Sequence, residues 1–429
     1  MREAVNEALG ALRGLGTPEE MWKAVAAGKA PAKRPKANTH IHLPPNFSAF
    51  ESVEQAVRLA AEQGVGVLGA GNYYDYRVYG DFAALARANR IFPLFGLEII
   101  SLDEDLRKRG FKINDPGNPG KMYLCGKGIT RFGDMTPQAR EILDMIRRND
   151  SARMAKVVER LAAVFAERGL DTGLSEDAVI DMIVRRHGSP RDAAYLQERH
   201  VCQAFQERLF EMVPAEKRIE TLNRILGAPT KAGPTDHVGI QNDIRSHLLK
   251  TSKPAYVEET FVNQSQAFRL ILELGGIPCY PTVADGVTPI CPFEEPIEKL
   301  IANIQAMNVH CAEFIPIRNK PETLWAYVKA MRAAGIVVTA GTEHNTLDLI
   351  PIEPRCLGGA AVPEDAQEIF WEGACVVAAH QHLVLYGMIG FVDGNGKPNP
   401  GYGSAEERIG AFRALGAAVM EAYFTRGAA

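Results

Sequence analysis

The sequence lacks the long apolar runs, paired cysteines and one-sided charge that mark several classes of protein. No segment approaches the run of about 18 apolar residues that a membrane-spanning helix needs. The seven cysteines are scattered, odd in number and without a C-x-x-C pair, so we expect reduced and mostly buried thiols. The 48 basic and 52 acidic residues leave a net charge of -4, which gives no general attraction to nucleic acid or to an anionic membrane.

Glycine-rich motifs for nucleotide phosphates are also missing. No G-x-G-x-x-G opens the first strand-to-helix crossover, and no G-x-x-x-x-G-K-[ST] occurs. The opening segment MREAVNEALGALRGLG is amphipathic, without an apolar core or a secretory cleavage site, so a cytoplasmic location is expected. We therefore expect a small-molecule substrate as partner, with no nucleic acid and no membrane, and a homo-oligomer is an open alternative.

Strand-like and helical segments alternate along most of the chain. In the first helix after the opening region, Val53, Ala56, Val57 and Ala60 fall on one face at the helical period. About seven strands with polar motifs at their carboxyl ends predict an α/β protein with a closed or distorted parallel barrel, similar to a TIM barrel. The predicted strands cover residues 38–42, 65–71, 92–99, 122–124, 277–281, 311–316 and 336–340.

The pattern divides the chain into four parts. Between the fourth and fifth predicted strands the alternation gives way to successive amphipathic helices such as MAKVVERLAAVFAER, which indicates a helical insertion. We predict N-terminal helices and a linker over 1–36, a barrel over 37–131 and 252–391, the helical insertion over 132–251, and a C-terminal helix over 392–429.

Two histidines one residue apart are the first candidates for a metal site. On a strand, His40 and His42 project to the same face, at the carboxyl end where barrels of this type place their active sites. Glu98 ends an apolar strand, where a buried carboxylate needs a metal or, as the alternative, an ion pair with Lys or Arg. After the last strand, Glu343 or His344 can complete a nitrogen and oxygen site for Zn²⁺, Mn²⁺ or Fe²⁺.

The order of these motifs resembles the polymerase and histidinol phosphatase (PHP) family. The resemblance covers roughly residues 37–131 and 252–391 and is carried by Asn-Thr-His-Ile-His, Gly-Leu-Glu, Ala-Glu-Phe and Gly-Thr-Glu-His-Asn on successive strands. It implies a distorted seven-stranded (β/α) barrel and a cluster of two or three metal ions that hydrolyses phosphoesters. The chain is then expected to be a metal-dependent hydrolase, a phosphoesterase that acts on a small anionic substrate through metal-bound water.

The sequence departs from the family pattern at several ligand positions. Asn72, Met122 and Tyr280 stand where the family has histidines, and Thr-Glu-His replaces the usual Asp-x-His. In that last motif either Thr342 replaces the aspartate or the carboxylate is shifted to Glu343. The first metal position of the family keeps its ligands, so we expect one divalent ion.

Three further residues are candidates for catalysis. Tyr73 and Asp75 lie on the loop after the second strand and could act as general acid or base, although a solvated aromatic loop is the alternative. Arg318, just past the sixth strand, could clamp an anionic group with its guanidinium fork.

Two other functions stay open at this point. The reduced ligand set is also compatible with a metallo-hydrolase barrel that attacks C–N or C–O bonds of a small acid or sugar. The loss of three histidines is compatible with a degenerate PHP-like barrel that binds a ligand without turnover, because fold alone does not decide the reaction.

Overall fold

Seven strands form one sheet that curls into a nearly closed barrel surrounded by helices, in a computed structural model that describes residues 2–426. The predicted α/β barrel of TIM-like form is therefore confirmed. The strands neighbour one another in chain order: β1 (Lys36–Ile41), β2 (Val65–Ala70), β3 (Phe92–Leu102), β4 (Lys121–Lys127), β5 (Ile277–Thr282), β6 (Cys311–Phe314) and β7 (Val337–Ala340).

The expectation of an all-parallel barrel is wrong at β4. This strand is antiparallel to both β3 and β5, and Glu98 on β3 lies opposite Cys125 on β4. The reason lies in the connection from β3, which contains only the five-residue helix α5 (Glu104–Lys108) and turns the chain back along the strand that it has just left. The other pairs, β1 with β2, β2 with β3, β5 with β6 and β6 with β7, are parallel.

Amphipathic helices cover the outside of the barrel. In the helix after β1, the Ser52 side chain accepts a hydrogen bond from the Gln55 backbone N–H at the start, and the apolar face packs inward with Ala56, Val57 and Ala60 buried. The barrel helices are α3 (Val53–Glu62), α4 (Tyr79–Ala88), α11 (Gln264–Glu273), α12 (Ile297–Ala306) and α13 (Pro321–Ala333).

A group of helices between β4 and β5 has a hydrophobic cluster of its own. Apolar side chains from residues 154–255 form this second cluster, apart from the one that fills the barrel and its surrounding helices. Its helices are α6 (Pro137–Glu167), α7 (Glu176–His187), α8 (Glu198–Met212), α9 (Ala215–Leu226) and α10 (His237–Ile244), the last continued by a π-helical turn over Arg245–Leu249.

The two ends of the chain pack against the barrel as helices. They are α1 (Arg2–Arg13), α2 (Pro18–Ala26), α14 (Glu364–Leu385) and α15 (Ala405–Arg426). Helix α14 lies so close to β7 that a Cβ on Gly373 would sit 2.2 Å from the Val338 carbonyl oxygen, so only glycine fits there. Among residues 2–426, no helix is both long enough and apolar enough to cross a membrane.

The first and last strands of the sheet, β1 and β7, are joined by hydrogen bonds near their carboxyl ends. The Glu343 N–H donates to the His40 carbonyl oxygen at 2.9 Å, and the His42 N–H donates to the Glu343 carbonyl oxygen at 2.8 Å. Glu343 and His344 both have a φ of 56°, a left-handed conformation that is strained for residues with a side chain. The strained turn brings the last strand's motif next to the His-x-His.

Candidate metal centre

His40 and His42 at the carboxyl end of β1 converge with Glu98, which lies in the middle of β3. Glu98 Oε2 lies 3.7 Å from His40 Nε2 and 3.3 Å from His42 Nε2. All three residues are buried, and their ligand atoms lie within 4.8 Å of one another. The structure thus brings together three of the five predicted metal ligands from elements that are far apart in the sequence.

The donor atoms of this cluster have no protein partners. Among residues 2–426, His40 Nε2, both ring nitrogens of His42 and Glu98 Oε2 are buried side-chain atoms without a hydrogen bond. Leaving one buried polar group unsatisfied typically costs about 1–3 kcal/mol, so four such atoms on three neighbouring residues require an explanation. Two imidazoles and a carboxylate are ligands for Zn²⁺, Mn²⁺ or Fe²⁺, so the residues present fit a divalent ion.

Glu313 on β6 holds the His40 ring from the other side. Its Oε1 accepts a hydrogen bond from His40 Nδ1 at 2.7 Å, which leaves Nε2 as the nitrogen with a free lone pair. Glu313 also forms an ion pair with the buried Lys127 on β4, whose ammonium reaches the Thr39 carbonyl oxygen at 3.3 Å. Although burial alone would raise the pKa of Glu313, Lys127 and His40 lower it to about 2. The carboxylate is therefore charged and oriented for His40.

Sequence reasoning did not assign Glu313 this role. A signal existed, because Glu313 is a lone carboxylate within an apolar strand, as Glu98 is. The ammonium of Lys127 is buried against Glu313. The same carboxylate lies near the Cys125 thiol in a second candidate ligand group of His40, Cys125 and Glu313.

Close packing fixes the position of the His40 ring. A Cβ on Gly71, at the end of β2, would lie 2.4 Å from His40 Cδ2 and 2.5 Å from Nε2. No side chain other than hydrogen can occupy this place while the ring keeps its position. Gly71, the second glycine of GAGNYY, therefore leaves room for the His40 ring.

Glu343 lies at the same end of the barrel, in a bidentate ion pair. Arg318 donates from Nη1 to Glu343 Oε1 at 3.1 Å and from Nη2 to Oε2 at 2.5 Å, and the Asn345 amide donates to Oε2 at 2.6 Å. Burial alone would raise the pKa of Glu343, but Arg318, His40 and His42 lower it. Glu343 is thus a charged carboxylate near the histidines, held by the arginine that the sequence analysis selected.

His344 of the last motif is buried and hydrogen-bonded to protein groups. His344 accepts a hydrogen bond from the Thr342 hydroxyl at Nδ1, and its Nε2 donates to the Ile350 carbonyl oxygen, both at 2.9 Å. Its ring packs on Phe50, and burial lowers its pKa to about 4. Both ring nitrogens of His344 are therefore engaged, and both Glu343 oxygens are held by Arg318, with Asn345 on one of them. A metal-ligand role for either residue stays a prediction.

The two predicted catalytic residues of the β2 loop lie in different environments. The Tyr73 ring stacks on His42, with centroids 5.1 Å apart and planes 11° apart. The Asp75 carboxylate is bound by Arg77 at 2.7 Å, with Arg147 at 3.8 Å. Its role as a general acid or base stays a prediction, and in this structure the carboxylate is held in an ion pair.

The positions where the family has histidines are filled by residues with other tasks. Asn72 exchanges hydrogen bonds with the Leu43 backbone N–H and carbonyl, at 2.8 and 2.9 Å, and so fixes the chain just after His42. The Tyr280 hydroxyl donates to buried Glu294 at 2.9 Å, and Met122 is buried. These residues stabilise the barrel and offer no group to a further ion.

A cavity of about 670 Å³ opens above the cluster, between the barrel and the helices that follow β4. Tyr73, Glu98, Arg318 and Glu343 line its barrel side, and Glu98 connects the cavity to His40 and His42, which are not among its lining residues. The residues of the opposite side could not be predicted from the sequence, because helical periodicity does not show which polar residues face a cavity. That side carries Asp150, Arg153, Glu198, Arg199, Arg245 and Lys250.

Fold and site together define a nearly closed α/β barrel with a candidate metal centre at its mouth. No protein-family model and no curated protein matches the sequence. A solved structure described as a putative metal-dependent phosphoesterase from Bifidobacterium adolescentis has a TM-score of 0.52 and 15% identity, covering 80% of this chain and 96% of its own. An amidohydrolase from Chromobacterium violaceum, with bound sulfate and no metal, has a TM-score of 0.49 and 16% identity, with coverage of 78% and 96%. At 15% identity the first likeness shows a shared fold alone.

Proposed function

We propose that this protein is a metal-dependent hydrolase of the PHP type that cleaves a phosphoester of a small anionic substrate. The observation that carries the proposal is the set of buried donor atoms without partners on His40, His42 and Glu98, of which one from each residue lies within 4.8 Å of the other two. A divalent ion held there supplies Lewis acidity and lowers the pKa of a water molecule that binds to it.

Arg318 and Tyr73 would act on the substrate from the cavity. Arg318 is held by Glu343 and lines the cavity beside Glu98, so its guanidinium can neutralise negative charge on a phosphoryl group. Burial and the charge of Glu98 raise the pKa of Tyr73 well above its ordinary value, so its phenol stays protonated at neutral pH. A protonated phenol is a proton donor and not a base, so we assign Tyr73 the role of the acid that protonates the leaving group.

One ion fits the residues better than a cluster of ions. Asn72 and Tyr280 are hydrogen-bonded to protein groups, and Lys127 already places a cation against Glu313. With one ion, hydrolysis of a C–N or C–O bond in a small acid or sugar is the second candidate, since a single Lewis acid also polarises a carbonyl.

Metal analysis tests the centre directly. Protein purified without chelator should contain about one equivalent of Zn, Mn or Fe, and His40→Ala and Glu98→Gln should lose it. His344→Gln should keep the metal, since both of its ring nitrogens serve the protein, and His237→Gln, on the exposed surface of α10, is the matched control. A wild-type protein without metal would leave a binding protein without turnover as the explanation.

A substrate panel separates the two enzymatic candidates. Phosphomonoesters, phosphodiesters, amides and lactones are tested with the metal-loaded wild type and with His40→Ala. Turnover of phosphoesters that is lost in His40→Ala supports the phosphoesterase proposal. Turnover of amides or lactones alone would refute it in favour of the second candidate.

A further inference from the structure

The wall of the cavity opposite the barrel is rich in cations. We call Arg153, Glu198, Arg199, Arg245 and Lys250 the insertion wall, since they come from α6, α8 and the segment after α10. Asp150 and Glu259 also line the cavity and lie near Arg153, whereas Arg245 and Lys250 share Glu198 and Arg199 pairs with no carboxylate among the described residues. An excess of positive charge that is partly removed from water attracts an anion, because the local dielectric is low and solvent screening is weak.

Glu198 is the counter-ion for three of these cations. Its Oε1 accepts from Arg153 Nη2 at 2.7 Å, and its Oε2 accepts from Arg245 Nε at 2.9 Å and from Lys250 Nζ at 3.2 Å. Arg153 also lies 3.6 Å from Glu259, a carboxylate that is 3.0 Å from Lys121. Arg153 is also offset by Asp150, 4.0 Å away, and by Glu259. Glu198 therefore stands as one carboxylate against Arg245 and Lys250, and a positive charge remains around these two residues.

Arg199 adds a cation that has no acidic partner. Within residues 2–426 it forms no ion pair, and its Nη1 donates to the neutral amide oxygen of Asn242 at 3.2 Å. Burial, followed by the charge of Arg245, lowers the pKa of Arg199 below its ordinary value. A guanidinium that lines a cavity without a carboxylate is free to bind a ligand with its planar fork.

We propose that the cavity takes a substrate with two anionic groups, one beside Glu98 and Arg318 and a second against Arg199, Arg245 and Lys250. The placement of the first group rests on the proposed function, whereas the second group depends on the insertion wall alone. The second group is a phosphate or a carboxylate. A volume of about 670 Å³ is large enough for a small sugar or acid that spans both ends.

Binding to the full-length His40→Ala variant tests the wall without turnover. Calorimetric titrations compare fructose 1,6-bisphosphate with fructose 1-phosphate, and 3-phosphoglycerate with glycerol 3-phosphate. Each pair differs by one remote anionic group, a phosphate in the first and a carboxylate in the second. We expect the doubly anionic member of at least one pair to bind about 10-fold more tightly or better, as for new charge-assisted hydrogen bonds.

The variants decide whether that preference comes from the wall. Adding Arg199→Gln to His40→Ala should abolish the difference in affinity between the two members of the pair. The change leaves no carboxylate without its cation, since Arg199 has no acidic partner. Arg208→Gln, on the same helix but outside the cavity, should keep the difference. Equal binding within both pairs, or a preference that survives Arg199→Gln, would overturn the proposal. Failure of the proposed function gives a different result: wild type without metal or turnover, but with the binding preference intact.

Discussion

Replacing Glu313 with glutamine tests the buried contacts that connect Lys127 to His40. Lys127 and Glu313 have side-chain exposures of 4% and 1%, so the change leaves an ammonium with no counter-ion inside the barrel. Removing one partner of a buried pair typically costs about 3–5 kcal/mol. We therefore expect Glu313→Gln to lower the free energy of unfolding by about that amount. Lys127→Met should cost less, since His40 and the Thr39 hydroxyl still donate to Glu313.

The double variant separates stability from metal binding. With both charges gone, Lys127→Met/Glu313→Gln should recover about 2 kcal/mol or more relative to the sum of the single changes. Metal affinity should behave differently, because a neutral amide no longer supports the His40 ring as a carboxylate does. Loss of such a support typically weakens binding by about 10- to 100-fold. The double variant should therefore still bind the metal more weakly than the wild type, although part of its free energy of unfolding is recovered.

Two measurements check this reasoning. Urea unfolding followed by circular dichroism in the presence of a chelator gives the four stabilities of the cycle. Competition titration with a chromophoric zinc chelator gives the four affinities. Additive losses of stability would show that Lys127 and Glu313 do not act as a pair. Full recovery of zinc affinity in the double variant would show that Glu313 does not orient His40.

Three further predictions follow from other contacts. Gly373→Ala should destabilise the protein by about 1–3 kcal/mol in urea unfolding, since its Cβ would overlap the Val338 carbonyl, whereas Gly410→Ala, with open space on α15, should be neutral or stabilising. Burial lowers the pKa of His380 to about 4 in the folded protein. As the pH falls below 6.5, the His380 side chain is therefore protonated in the unfolded chain and stays neutral in the folded one. Protonation of His380 in the unfolded chain should lower the free energy of unfolding by about 2 kcal/mol between pH 7 and pH 5. In the same urea assay, the free energy of unfolding of His380→Gln should fall less over this pH range. Tyr73→Phe keeps the stack on His42 and should reduce kcat about 100-fold at unchanged metal content; an unchanged kcat would rule out the phenol as the proton donor.

The alternation of apolar strands and amphipathic helices was sufficient to predict the barrel, because both periodicities are local. Ala56, Val57 and Ala60 are buried as their spacing predicts. The direction of β4 is not a local property. It depends on whether the connection between residues 102 and 121 crosses over the sheet or turns back beside β3, and the sequence of a strand reads the same in both cases.

The sequence by itself determined the donors that occur as a recognisable pair or as a lone carboxylate in an apolar strand, namely His40, His42 and Glu98. Only the tertiary structure decided the rest, because those contacts join residues that are far apart in the chain. It turned Asp75 toward Arg77, engaged both nitrogens of His344, and placed Glu313 behind His40. It also brought Arg199 to the cavity, since a helix sequence shows its apolar face and not what lies opposite its polar one.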